Sequence, residues 1–352
     1  MNRNGMKQQT QGSPMGNGLG AAESFAKRWG RRAITVPLYT ASCLALLASL
    51  PALIVIAAVA DIARRSNWAA VRFIALLAFY LCCEVAGIAM SFFLWLASVL
   101  TRAGHERFLD WNFALQQWWA GCLFRAGRVL FRIRVDIEGA DDIGEGPFIV
   151  FIRHVSLGDT LLPSTILSKR QGLRLRFVLK SQLLWDPCLD IVGNRLPNCF
   201  VRRGAGDELA ISAVRRLMDG LGTKDGVLIY PEGTRFTPEK RERILERLAS
   251  GDGELFRKAS TLKNVLPPRL GGTLALLERN VRAHALFCGH WGLEGVTNFR
   301  DFLRGSMVGA VLRVRFWRVA FEEIPRDRAS QTAWLYEHWS RVDEWVGQQK
   351  QR

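Results

Sequence analysis

The sequence predicts an α/β fold, with a mixed, largely parallel central sheet flanked by helices and an N-terminal membrane helical hairpin. Three stretches carry that prediction. Residues 147–163 read PFIVFIRHVSLGDTLLP and residues 226–235 read GVLIYPEGTR. Each holds a continuous apolar run rich in branched and aromatic residues, the pattern of a parallel strand covered on both faces. Each then breaks into polar and turn residues, and in open α/β sheets ligands gather where strands end and loops begin. The third stretch is a pair of apolar runs, 33–60 and 73–100, each longer than the ~20 residues that cross a bilayer core.

Taken in order, residues 1–32 are rich in Gly, Gln, Asn and Ser without periodicity and read as a disordered basic tail. Residues 33–102 form the two-helix hairpin, with Pro37 and Pro51 expected to kink its first helix. Glu84 lies near the middle of the second run. It reads either as a polar contact to lipid or to the first helix, or as a protonated or snorkelling side chain in a half-immersed hairpin. Residues 103–131 form an amphipathic helix in which Trp111, Trp118 and Trp119 interleave with Arg125 and Arg128, the composition of a helix at headgroup level. The α/β domain occupies 132–352. It opens on an alternating strand over 132–138 and continues with a helix over 159–168 and a strand over 173–179 ending at Lys180. A short strand ends at Arg203, and a helix covers 206–221. Two later strands, over 282–288 and 311–321, precede a C-terminal helix over 326–349 that carries Trp334, Trp339 and Trp345. Those tryptophans either pack on the core or touch membrane.

The chain carries 48 Lys and Arg against 32 Asp and Glu, a formal charge of +16. Such an excess calls for an anionic partner, and the hairpin makes a lipid bilayer and phosphorylated small molecules the natural ones. Nucleic acid is disfavoured, because no helix-turn-helix, RNP or zinc-finger pattern is present. The seven cysteines include no CxxC and read as free thiols of a reducing compartment. His284 and His290 form no metal pattern, so no metal is expected. Arginines flank both ends of the hairpin, which by the positive-inside rule puts both ends, and the domain that follows, on the cytoplasmic side of a membrane.

The polar ends of the two core strands suggest acyl transfer to a hydroxyl. A hydroxyl needs a base whose pKa lies near working pH, and histidine has one unperturbed. His154 supplies the imidazole. Asp159 is placed to hold its second nitrogen, fixing the tautomer and stabilising the imidazolium formed during proton transfer. Five residues along a helix is a rotation of about 140°, so the pair cannot share a helical face. His154 therefore belongs in the strand-to-helix loop and Asp159 in the first helical turn. In the second loop Gly233 permits close backbone approach or a positive φ, Arg235 can fork onto phosphate oxygens, and Glu232 orients its neighbours by hydrogen bonding.

RHVSLGD and YPEGTR together resemble the HxxxxD and EGTR motifs of the glycerolipid acyltransferases typified by 1-acylglycerol-3-phosphate acyltransferase. Two further blocks agree. NCFVRR, residues 198–203, is similar to the family's short strand ending in Arg, with Arg202 where many members are acidic. NVLPPRLGG, residues 264–272, is similar to an LLPRTKG block, without its Lys. The resemblance spans roughly 139–292.

The resemblance implies transfer of a fatty acyl group from an acyl thioester, of coenzyme A or acyl carrier protein, to the sn-2 hydroxyl of a lysophospholipid, with no other cofactor. The catalytic set is His154, Asp159 and Glu232. The substrate-binding set is Lys180, Arg202, Arg203, Gly233, Thr234, Arg235 and Pro268, with Lys180 and the arginines near the acceptor phosphate and Pro268 in the loop shaping the donor site. The expected acceptor is 1-acylglycerol 3-phosphate and the product phosphatidic acid. The rival readings are another lysophospholipid or glycerol 3-phosphate as acceptor, and a non-catalytic membrane protein that binds anionic lipid.

Overall fold

The structure, a computed structural model, describes residues 23–156, 158–201, 207–294 and 299–351. Among them seven strands form one sheet: β1 (Arg134–Glu138), β2 (Phe148–Ile152), β3 (Arg174–Lys180), β4 (Cys199–Val201), β5 (Asp225–Ile229), β6 (His284–Trp291) and β7 (Val311–Val319). The order is β1-β7-β6-β2-β5-β3-β4. Every neighbouring pair is parallel except β6 with β7. The mixed, largely parallel sheet read from the sequence is present.

The two apolar runs that announced the sheet lie at its centre. All five residues of β2 and of β5 are buried, because successive side chains point to opposite faces and both faces are covered. Ile149 and Phe151 face one core with Trp334, Trp339 and Val346 of the C-terminal helix Arg328–Gln351. Phe148, Val150 and Ile152 face another with Phe131, Leu162 and Ile166. The C-terminal tryptophans thus pack on the core, and Trp339 Nε1 donates to the carbonyl of Leu266 at 3.0 Å.

Three long helices precede the sheet: α1 (Phe25–Arg64), α2 (Ala69–Leu100) and α3 (His105–Phe131). α1 and α2 are long and apolar enough to cross a membrane, with mean hydropathies of 2.6 and 2.2 over their most apolar windows. α1 runs as one helix through Pro37 and Pro51 and starts earlier than expected. Residues 25–32, read as part of the tail, are helical, because Ser24 caps the first turn and Arg31 and Arg32 are tied down at Asp190. Asp61 of α1 accepts the backbone N–H groups of Ala70 and Val71 at 3.1 and 3.0 Å. One helix therefore caps the other's orphan donors and sets the tightness of the hairpin.

Glu84 is fully buried. It accepts from Trp119 Nε1 of α3 at 2.8 Å and from the backbone N–H of Cys188 at 3.3 Å. A buried carboxylate needs donors, and the helix that carries Trp119 was expected to point its tryptophans at headgroups. The segment expected to be one helix over 159–168 is instead a 3₁₀ turn (Gly158–Leu161) and a π-helical turn (Ser164–Ser168), irregular winding of the kind that accompanies functional positions.

Candidate active site

The loops after β2 and β5 emerge side by side at the C-terminal edge of the sheet, since Phe151 of β2 pairs with Ile229 of β5. Two hydrogen bonds join them across the chain. The His154 N–H donates to Glu232 Oε1 at 3.0 Å, and the Phe236 N–H donates to the His154 carbonyl at 2.8 Å. The HxxxxD and EGTR stretches thus form one structural unit.

His154 lies in the loop and Asp159 in the 3₁₀ turn, as the spacing required. His154 Nδ1 is 3.1 and 3.3 Å from the two Asp159 oxygens. Asp159 is fully buried, and its Oδ2 also accepts the N–H groups of Val155 and Ser156 at 2.6 and 2.8 Å. Burial raises its pKa, but the hydrogen bond from His154, the His290 charge and the backbone donors outweigh that, and the net shift is downward. Asp159 is therefore an anion at neutral pH. With Nδ1 committed to it, Nε2 is the atom of His154 left to accept a proton. The imidazole stacks against Tyr230, ring centroids 4.6 Å apart, and its side chain is 11% exposed, enough to meet a substrate.

Glu232 is fully buried. Besides His154 it accepts the N–H of Leu266 at 3.2 Å, so it fastens three loops. Burial pushes its pKa up to about 8, against the opposing charge of Arg153 and both backbone donors. The 263–265 segment that leads to Leu266 is itself held by Asp343 of the C-terminal helix, which accepts the N–H groups of Lys263, Asn264 and Val265 at 2.9, 2.5 and 3.0 Å.

Gly233 has φ +64°, and a Cβ there would lie 2.7 Å from Arg269 Cδ. The sequence asked for a glycine of this kind. Thr234 Oγ1 and the Arg235 carbonyl accept from Lys240 Nζ at 3.3 and 2.9 Å, which folds the EGTR loop onto the helix Pro238–Ala249. Lys180 ends β3 on the same edge, in register with Val201 of β4. Arg202 and Arg203, which follow β4, lie outside the described residues. Pro268 is buried, and the next residue, Arg269, donates its N–H to the Pro231 carbonyl at 2.8 Å.

Three neighbours of the site escaped the sequence reading. His290, set aside there for lack of a metal pattern, is fully buried at the end of β6. Its Nε2 lies 2.9 Å from the Arg153 carbonyl and 3.6 Å from Asp159 Oδ2, and burial lowers its pKa. Arg153, 1% exposed, donates to the His290 carbonyl, to Glu294 and to the Asn264 carbonyl at 2.8, 2.5 and 2.9 Å. Tyr230, inside YPEGTR, supplies the ring beneath His154. Only Arg153 left a trace, as a charge directly after an apolar strand.

An imidazole held by a buried carboxylate, set at the strand ends of an α/β sheet and followed by a phosphate-suited Gly-Thr-Arg turn, is the equipment of a base-assisted group transferase. Residues 134–268 match the Acyltransferase family model, the stretch in which the paired motifs lie. Among solved structures, the chain is similar to the 1-acyl-sn-glycerophosphate (LPA) acyltransferase PlsC from Thermotoga maritima. That likeness has a TM-score of 0.51 and 18% identity over 79% of this chain and 95% of that one. It shows the fold. No curated protein sequence matches the chain. The family match supports an acyltransferase.

Proposed function

We propose that the chain transfers a fatty acyl group from an acyl thioester to the sn-2 hydroxyl of 1-acylglycerol 3-phosphate, giving phosphatidic acid. The carrying observation is the pairing of His154 Nδ1 with the buried Asp159 at 3.1 Å, inside an acyltransferase domain. The acceptor hydroxyl gives its proton to His154 Nε2 as its oxygen attacks the thioester carbonyl. Asp159 stabilises the imidazolium. The tetrahedral intermediate collapses with loss of the thiolate, which takes the proton back from His154. No enzyme nucleophile is needed, because the thioester is already reactive. Glu232 positions the His154 loop. Lys180, Arg235 and one of Arg202 and Arg203 hold the acceptor phosphate, and the loop with Pro268 borders the donor, an acyl group on coenzyme A or acyl carrier protein.

The hairpin delivers the acceptor by lying half-immersed in the leaflet beside the catalytic domain, on the cytoplasmic side. Contacts along α2 support this. Phe73 stacks on Phe302 at 5.8 Å, the Tyr80 hydroxyl donates to Asp186 at 2.8 Å, and the Ser91 carbonyl accepts from Arg195 at 2.8 Å. A helix tied to one domain at points about 27 Å apart runs alongside it rather than away from it across a bilayer.

The test is incubation of the purified full-length protein, in lipid, with labelled acyl donor and a panel of lyso-acceptors and glycerol 3-phosphate. Phosphatidic acid as the main product supports the reading. A main product with another headgroup overturns the acceptor assignment, and no transfer to any acceptor overturns the activity.

A further inference from the structure

The turn that follows Lys180 is built unlike a soluble surface. Ser181–Trp185 forms a 3₁₀ turn in which Leu183 is 38% and Trp185 57% exposed. An aromatic held in water at the rim of a site is a cost that calls for a partner. The turn is rigid. Asp186, the next residue, caps the helix Pro187–Gly193 by accepting the Leu189 N–H at 2.9 Å, and its other oxygen accepts the Tyr80 hydroxyl of α2.

One turn further on, that short helix meets α1. Asp190, fully buried, binds Arg31 at 2.7 Å and Arg32 at 3.0 Å. Arg32 also lies over the ring of Trp29, 5.5 Å from its centroid, and Trp29 is 52% exposed. One turn further along α1 the exposed side chains become aliphatic, Ile34 and Leu38. Exposed Trp29 beside Arg32, just before the aliphatic surface of α1, has the pattern of a belt at membrane interface level, and the Asp190 joint ties the Trp185 turn to that end of the hairpin.

We propose that Trp185 and Leu183, together with Trp29, dock into the headgroup region of an anionic phospholipid leaflet and press the Lys180 side of the acceptor site against it. The assignment of Lys180 to the acceptor phosphate rests on the function proposed above; the docking itself does not. The bilayer is the occupant because the patch is tied to that end of the hairpin and because the chain carries +16, which draws it to anionic lipid. A lysophospholipid leaving that leaflet would pass Trp185 before it reached Lys180.

The docking is read without activity by labelling the full-length protein with 5-fluorotryptophan in anionic lipid nanodiscs and assigning Trp185 as the ¹⁹F resonance lost in W185F. The expected result is broadening of that resonance by a lipid carrying a nitroxide at its headgroup, and shielding from a water-soluble gadolinium chelate. Broadening by the chelate alone overturns the proposal. The consequence for the acceptor is read by kinetics. W185A should raise the KM for an acceptor presented in vesicles by about tenfold, as loss of one interfacial ring would. It should leave kcat, and turnover of a short-chain monomeric acceptor, within about twofold, and W185F should recover most of the loss. Equal losses on both acceptors, or no change on either, overturn the role at the site mouth. A wild-type protein inactive on every acceptor strikes the proposed function instead, and the resonance still decides the docking.

Discussion

The backbone N–H of His154 donates to the carboxylate of Glu232 at 3.0 Å, although 78 residues of chain separate them. The glutamate of the EGTR loop thus fastens the histidine loop to its own. Its other oxygen holds Leu266, so one buried side chain sets the spacing between His154 and the loops around it. Predictions follow from this arrangement and from the groups around it.

His154→Ala should lower kcat by more than about 10²-fold with folding intact, the usual contribution of a positioned general base. Circular dichroism alongside the transfer assay checks both halves. Full activity in the folded variant would defeat the mechanism.

Asp159→Asn should cost activity and change the pH dependence of stability. The net pKa of Asp159 is lowered in the fold, so its contribution is present above the ordinary carboxylate range and is lost as pH falls towards the folded value. Thermal unfolding between neutral and acidic pH should therefore fall more steeply in the wild type than in the Asn variant. Parallel curves would refute the assignment.

Glu232 carries the opposite sign. Its pKa is raised from 4.5 to about 8, so its ionisation opposes folding, and its contribution to stability declines as pH rises from about 4.5 through 8. Against Glu232→Gln, the wild type's advantage in unfolding temperature should be largest at about pH 4.5 and should shrink steadily to its smallest above pH 8. A difference that is constant with pH would contradict the raised value.

Gly233→Ala should destabilise by about 1–2 kcal/mol, the penalty of a β-carbon in the left-handed region. It should also displace Arg269, whose Cδ would lie 2.7 Å from the new carbon. Urea unfolding measures the first effect, and a raised KM for donor or acceptor would report the second.

Asp190→Ala leaves Arg31 and Arg32 without their shared carboxylate. Breaking a buried ion pair from one side costs about 3–5 kcal/mol, and here the loss falls on the joint between α1 and the domain. Limited proteolysis should cut near residues 187–193 in the variant before it cuts there in the wild type. Arg32→Ala should have a smaller effect, since Arg31 still holds Asp190.

What the sequence determined by itself was whatever short-range chemistry encodes. Apolar runs without polar interruption made β2 and β5 central strands, and the five-residue spacing put His154 in a loop and Asp159 in the turn after it. The glycine of EGTR marked the positive φ at 233, and two long apolar runs marked α1 and α2. Local pattern misjudged the start of α1, because residues 25–32 owe their order to Asp190, far along the chain. Pattern also left Glu84 without a named partner and aimed Trp119 at headgroups, whereas in the fold the two satisfy one another. Only the tertiary structure decided that His290 and Arg153 stand behind the His154–Asp159 pair, that Glu232 ties His154 to Leu266, and that Asp343 braces the loop leading there. The physical reason is common to all of these. A buried polar group must find its partner wherever packing brings one within about 3 Å, and that partner's position in the chain leaves no mark on the residues beside it.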